Sequence, residues 1–182
     1  MLKQCAGSAA APLRHFRIGQ WLHVWVGTFA LLPVAVLAVV LLARLRPSGS
    51  WRLSMAEVGM VYLTLPWLWM ILTPVEVPAD TVMVHWVPLN DLKNLFGTDQ
   101  FWVQFGGNLG VFFALGALAP VRTEALARPW RLLALGAGCS LIVEVLQGLF
   151  VSGRVFSVDD VLLNAVGCLV GGIVTYRWWR RG

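Results

Sequence analysis

The residues of this chain that could do chemistry are concentrated in one apolar stretch, Ser140 to Gly171. The stretch predicts two membrane-spanning helices joined by a short turn, yet it also contains carboxylates, amides and an arginine. These are Glu144, Gln147, Arg154, Asp159, Asp160 and Asn164. An ionisable group inside a spanning helix costs about 2.5–3.5 kcal/mol on insertion scales. Polar residues kept at this cost indicate a polar site within a membrane bundle.

The spacing of these residues places them on one face of each helix. The two stripes are Ser140, Glu144 and Gln147 on the first helix, and Asp160, Asn164, Gly167 and Gly171 on the second. Each stripe follows the period of about 3.6 residues per turn. With Arg154 near the apex of an antiparallel hairpin, Glu144 is predicted to lie level with Asn164. By the same register, Gln147 is predicted to lie level with Asp160.

An earlier span adds Asn108 to this layer, because it approaches the same membrane face. At about 1.5 Å per helical residue, Asn108, Glu144 and Asn164 are each predicted to lie roughly 10 Å deep. Gln147 and Asp160 are predicted to be shallower, with the turn at the surface. The candidate site therefore draws on three helices, through Asn108, Ser140, Glu144, Gln147, Arg154, Asp160 and Asn164.

The composition is that of an integral membrane protein. The chain has 182 residues, of which 58% are hydrophobic and 13% charged. A soluble domain is about 45–50% apolar and about 25% charged. The formal net charge of +5 comes from basic residues beside apolar runs, which is the positive-inside pattern rather than a nucleic-acid footprint. We expect membrane lipids as partners and no nucleic acid, while the oligomeric state stays open.

Five apolar runs predict an all-α integral membrane bundle of about five transmembrane helices. The runs are residues 20–43, 55–73, 101–120, 132–151 and 157–179. The chain is accordingly divided into an N-terminal tail (1–19), two N-terminal helices (20–73) and a membrane region with a loop and three helices (74–182). The loop, residues 74–100, has the pattern of a short interfacial helix, with a lid over the polar site as the alternative. Two GxxxG pairs, Gly106–Gly110 and Gly167–Gly171, predict close helix approach.

The distribution of lysine and arginine orients the predicted bundle. Nine of these residues fall on the side of the first and third loops and the C-terminus, and five on the other side. The positive-inside rule therefore puts the N-terminus outside and the C-terminus inside. We expect a multi-pass protein of the cell membrane whose polar site faces the extracytoplasmic side.

Three functions are compatible with this polar layer. We expect it to bind an amphipathic envelope molecule, such as a lipid or a lipoglycopeptide. It could instead catalyse acid–base chemistry on a lipid-linked substrate, since two carboxylates near an arginine can have separated pKa values. It could also be structural, although interhelical polar bonds average only about 0.6 kcal/mol. No histidine lies among these residues, so no metal or other cofactor is expected, and no catalytic residue is assigned.

The combined pattern resembles the VanZ-like family of small multi-pass membrane proteins, over about residues 85–176. The resemblance is carried by the Ser140, Glu144 and Gln147 spacing, Arg154, the Asp160, Asn164 and Gly167 spacing, Asn108 in its glycine-rich span, and WVPLN at 86–90. One departure is Ser157, where the family often has an acidic residue; Asp159 is the candidate substitute. The resemblance implies a cell-membrane protein linked, through its namesake, to teicoplanin tolerance. It implies no reaction.

Overall fold

The computed structural model describes residues 22–47, 50–74, 84–151 and 156–179. Within these ranges the chain is an all-α bundle, as the sequence predicts, with two very short strands. The helices are α1 (Leu22–Leu45), α2 (Trp51–Ile71), α3 (Asn90–Leu95), α4 (Asp99–Val111), α5 (Phe113–Arg122), α6 (Pro129–Phe150), α7 (Val158–Val174) and α8 (Tyr176–Trp179). The strands are β1 (Val84–His85) and β2 (Phe156–Ser157). The predicted N-terminal tail lies outside the described residues.

Among the described residues, four helical segments are long and apolar enough to cross a membrane. They are α1, α2, the continuous segment Asp99–Arg122 formed by α4 and α5, and α6. The fifth predicted span is divided, because α7 ends after 17 residues and α8 begins beyond Thr175. The hydroxyl of Thr175 donates to the carbonyl oxygens of Gly171 at 2.9 Å and Ala117 at 2.8 Å. The bond to Ala117 attaches the interruption between α7 and α8 to α5.

The short helix α7 lies at the centre of the bundle, against α4, α5 and α6. Small residues bring the backbones together. A Cβ added to Gly167 would lie 2.1 Å from the Leu109 carbonyl oxygen, and one on Gly171 would lie 2.1 Å from that of Phe113. By contrast, a Cβ on Gly106 meets no described atom within 4 Å. Close approach of helix backbones is therefore a property of the Gly167–Gly171 pair.

The chain between α2 and α4 is fastened to the start of α7. We call its described part, residues 84–98, the strap. Its strand β1 pairs in parallel with β2, with Val84 opposite Phe156 and His85 opposite Ser157. A short helix, α3, is present in the loop where the sequence predicts one, whereas the strand pairing is not predicted by the sequence. Residues 75–83 of the predicted loop lie outside the described residues.

A separate polar cluster joins α1, α2 and α5 at the opposite end of the bundle. The carboxylate of Glu57 on α2 pairs with Arg46 and, at 2.8 Å between Oε1 and Nε, with Arg122. Both arginines lie beyond or at the ends of their helices, where guanidinium groups also meet the negative end of the helix dipole. This cluster holds three segments together and is distant in the chain from the predicted polar site.

Candidate functional site

Asp160 lies in the first turn of α7, where an acidic residue is favoured by the helix dipole. Ser157 begins this helix, since its hydroxyl oxygen accepts from the Asp159 N–H at 3.2 Å. The Oδ1 atom of Asp160 accepts hydrogen bonds from Gln104, at 3.2 Å, and from Asn108, both on α4. Two neutral amides thus hold one carboxylate oxygen. A carboxylate has about four acceptor positions, so Asp160 can accept further donors.

A second polar contact lies one turn further along α7. The Nδ2 atom of Asn164 donates to Oγ of Ser140 on α6 at 2.8 Å, and both side chains are buried. The Oδ1 atom of Asn164 is fully buried, and no donor reaches it within the part of the chain that the structure describes. A buried acceptor without a donor costs about 1–3 kcal/mol. This atom is therefore ready to accept a hydrogen bond.

The α6–α7 hairpin differs in register from the predicted one. Ser140, not Glu144, lies opposite Asn164, so the predicted pairing is wrong by one turn. The register of α6 against α7 is set about one turn from this contact, at Gly136. A Cβ added to Gly136 would lie 2.7 Å from the Cβ atom of Cys168. This glycine allows the two helices to meet there at close range. Glu144 is buried one turn closer to the connecting turn, at 7% exposure.

Gln147 is placed against α2 rather than beside Asp160. Its Nε2 donates to the carbonyl oxygen of Ile71, the last residue of α2, at 2.6 Å. The last four carbonyls of a helix have no partner within the helix. Gln147 satisfies one of them from another helix, which fixes the end of α2 to α6. Arg154, the remaining predicted site residue, lies outside the described residues.

Asp159, a polar residue of the Ser140–Gly171 stretch that is not among the predicted site residues, has a large set of backbone contacts in the structure. It is only 1% exposed, and its carboxylate accepts from the backbone N–H groups of Leu89, of Asp91 at 3.0 Å and of Leu92 at 3.2 Å. Asp159 therefore caps α3 from a distant part of the chain. Leu89 has the left-handed φ of 63°, which turns its N–H toward this carboxylate. Two adjacent acids before an apolar helix were the only sequence signal.

A chain of side-chain bonds reinforces the strap. The Ser157 hydroxyl donates to Oδ2 of Asp91 at 2.6 Å, and Nδ1 of His85 lies 2.8 Å from Oδ1 of the same carboxylate. The hydroxyl thus faces a carboxylate and not the imidazole that would remove its proton in a nucleophilic triad. Ser157 is also buried, at 3% exposure. The side chains of His85, Asp91 and Ser157 therefore fasten the strap to the start of α7.

The polar site consequently has two levels. The outer level is Asp160 with Gln104 and Asn108, and the inner level is Asn164 with Ser140. The sequence predicts Asp160 to be shallower than Asn164, but it places Asn108 at the depth of Asn164 and not with Asp160. The chemistry of the site is that of hydrogen-bond acceptors aimed into an apolar bundle, which suits the recognition of a polar group on a larger molecule. No group of three His, Cys, Asp or Glu side chains among the described residues could hold a metal ion.

Comparison with known protein families gives a match over most of the chain. The model of the VanZ/LLP1 family matches residues 60–180, which is more than half of the chain. The match includes the strap and α4 to α8, together with the larger part of α2. No curated protein matches the chain, and no solved structure matches it.

Proposed function

The chain belongs to the VanZ/LLP1 family, and we propose that it binds an amphipathic envelope molecule, a lipid or a lipoglycopeptide, at the two-level polar site. The family and the four apolar helices make it a membrane protein. We place it in the cell membrane, with the strap and the polar site on the extracytoplasmic side, following the positive-inside rule. A molecule in the outer leaflet would then meet Asp160 with its headgroup while its chains stay among lipids.

The observation that carries this proposal is the buried Oδ1 atom of Asn164, which has no donor among the described residues. A side-chain amide used only to join helices would have both its hydrogen-bond donor and its hydrogen-bond acceptor paired. Here the amide uses its donor on Ser140, and its acceptor is unpaired among the described residues. One turn away, Asp160 receives its two described side-chain donors on a single oxygen. Within the described part of the chain, the acceptors at this site therefore outnumber their donors, which supports a bound molecule that supplies donors.

The catalytic alternative has less support. The hydroxyls near the site, those of Ser140 and Ser157, contact an amide and a carboxylate respectively. The amide is not a base, and the Ser157 hydroxyl that donates to the Asp91 carboxylate is only 3% exposed, so neither hydroxyl is presented to a substrate as an activated nucleophile. Binding is the function that these contacts support best.

Native mass spectrometry of the purified protein with its co-purified lipids tests the binding proposal. The wild type is expected to retain one lipid species in excess over its abundance in the extract. Asp160→Asn and Glu144→Gln keep shape and remove charge, and we expect both to lower that retention at least about tenfold, the equivalent of 1.4 kcal/mol. Glu124→Gln, at an exposed position far from the site, is the matched control. Equal retention by all four proteins would contradict the proposal.

We extend the proposal to glycopeptide tolerance, because an outer-leaflet molecule held at this site would alter the surface that such antibiotics meet. The test is growth of a susceptible host expressing the protein, under graded teicoplanin. Wild type and Glu124→Gln are expected to raise tolerance, whereas Asp160→Asn is expected to lose the effect at equal protein level. Unchanged tolerance with wild type would contradict this extension and leave the binding proposal to its own test.

A further inference from the structure

The face of α4 that meets Asp160 carries two aromatic rings beside its two amides. Phe101, Gln104, Phe105 and Asn108 lie within an arc of about 100° at 100° per residue. Gln104 and Asn108 contact Asp160, so this whole face is directed toward the start of α7. The two phenylalanines are half-buried. The outer level of the site is therefore bounded on α4 by both planar amides and apolar rings.

The aromatic rings form a continuous group at the strap end of α4. Phe101 stacks on Phe105 with centroids 5.6 Å apart and planes at 11°. The same Phe101 ring makes edge contacts with Phe96 of the strap, at 5.4 Å, and with Trp102, at 5.1 Å. Trp102 is 71% exposed, as expected of a residue at the membrane interface. These rings therefore form one apolar cluster beside the helix face whose amides contact Asp160.

We propose that the headgroup bound at this site is an uncharged glycosyl group, so that the ligand is a glycolipid; this rests on the proposed function. A sugar ring carries hydroxyls that donate to carboxylate and amide oxygens and accept from amide N–H groups. Its C–H faces have weakly positive hydrogens that pack on the negative faces of aromatic rings. Both kinds of partner are supplied within about two turns of α4. The polar groups are Gln104 and Asn108 with Asp160, and the rings are the Phe101–Phe105 pair.

Charge argues against an anionic phospholipid as the preferred ligand. A phosphate placed beside Asp160 would meet like charge in a medium of low dielectric constant, which is repulsive. A quaternary ammonium headgroup has no N–H to donate to the Asp160 carboxylate. A hydroxylated, neutral headgroup is not repelled by Asp160, and it supplies donors for that carboxylate and for the Asn164 oxygen, which has no donor among the described residues.

A competition among lipids with identical acyl chains tests the proposal. The full-length protein is reconstituted in nanodiscs containing equal amounts of monoglucosyl diacylglycerol, phosphatidylethanolamine and phosphatidylglycerol, and bound lipid is quantified by native mass spectrometry. We expect the glucolipid to be enriched about tenfold over either phospholipid. Asn108→Ala removes one amide and Phe105→Leu removes one ring, and each is expected to reduce this enrichment severalfold. Phe29→Leu, on the exposed face of α1, is the control and should match wild type.

The outcomes separate this inference from the function on which it rests. A phospholipid retained by wild type and lost in Asp160→Asn would overturn the glycosyl assignment and keep the binding function. No lipid retained above the nanodisc ratio would overturn both. Enrichment of the glucolipid that survives in Asn108→Ala and Phe105→Leu would place its binding elsewhere and overturn the assignment. A monodisperse elution profile for each variant ensures that the comparison is made on folded protein.

Discussion

The side-chain amide of Asn164 donates to the Ser140 hydroxyl at 2.8 Å, and this contact joins α7 to α6 across 24 positions of the chain. Around it the helices approach through glycine, with Gly136 against Ala165 and Cys168. The polar contact therefore lies within a tightly packed interface, where its loss cannot be compensated by water.

A double-mutant cycle on this pair should show coupling. We expect Ser140→Ala and Asn164→Ala to lower the free energy of unfolding in bicelles non-additively. The coupling should be about 0.6–1.7 kcal/mol, the range found for hydrogen bonds within membranes. Thr123→Ala combined with Asn164→Ala, whose sites are on different segments, should be additive. Additivity in the Ser140 cycle as well would mean that the hydrogen bond contributes nothing.

Asp159 should control the attachment of the strap. In Asp159→Asn an amide group replaces an oxygen that faces backbone N–H donors, so at least one hydrogen bond to charge is lost, a cost of about 1.5–3 kcal/mol. The amides of Leu89, Asp91 and Leu92 are then expected to exchange with deuterium about 10–100-fold faster. Asp99→Asn, at an exposed position of α4, should leave their protection unchanged. Protection that persists in Asp159→Asn would show that other contacts hold the strap.

Two alanine substitutions at glycines of predicted GxxxG pairs should have opposite effects. Gly167→Ala would force its methyl group to within 2.1 Å of the Leu109 carbonyl, so α4 and α7 must separate, at a cost of about 3 kcal/mol or more. Gly106→Ala meets no described atom within 4 Å and should stabilise the helix by about 0.5–1 kcal/mol. Thermal unfolding of both variants, compared with wild type, measures the two changes in stability. Similar losses of stability in the two would refute the central position of α7.

The register of the two strands can be trapped covalently. In a background with alanine at the three native cysteines, cysteines at Val84 and Phe156 are directly paired and should form a disulfide readily on mild oxidation. Cysteines at Val84 and Ser157 are offset by one residue and point to opposite sides, so they should react poorly. Mobility on non-reducing gels gives the yields. A higher yield for the offset pair would mean that the strap is shifted by one residue.

The membrane helices could be predicted because hydrophobic length alone defines them. The ends of α1, α2 and α6 lie within a few residues of the predicted limits, and α3 follows from the mixed polar and apolar pattern after Pro88. The interruption at Thr175 was not predicted, since it depends on a hydroxyl reaching a carbonyl of α5. Local apolarity gives no information on such a contact.

The site could be predicted only in part, because several of its polar residues bind backbone atoms. Asp159 binds three N–H groups of the strap, and Gln147 binds the Ile71 carbonyl. Backbone partners have no side-chain signature, so neither contact could be found from spacing. The contact between α4 and α7 could be predicted, because it joins two polar side chains. Asn108 and Asp160 are both candidate site residues by sequence, and the structure joins them by a hydrogen bond. The hairpin register was missed because Gly136, a residue without a side chain, sets it.

Photocrosslinking from the outer level of the site tests the central claim, that Asp160 and its neighbours hold a specific amphipathic molecule. p-Benzoylphenylalanine is placed at Phe105, which shares a helix face with Asn108, and separately at Phe29, which is 70% exposed on α1. After irradiation in native membranes, the adducts are identified by mass. We predict one dominant lipid species at position 105, lost in Asp160→Asn, and a mixture matching the bulk membrane at position 29. Bulk composition at both positions would contradict the account.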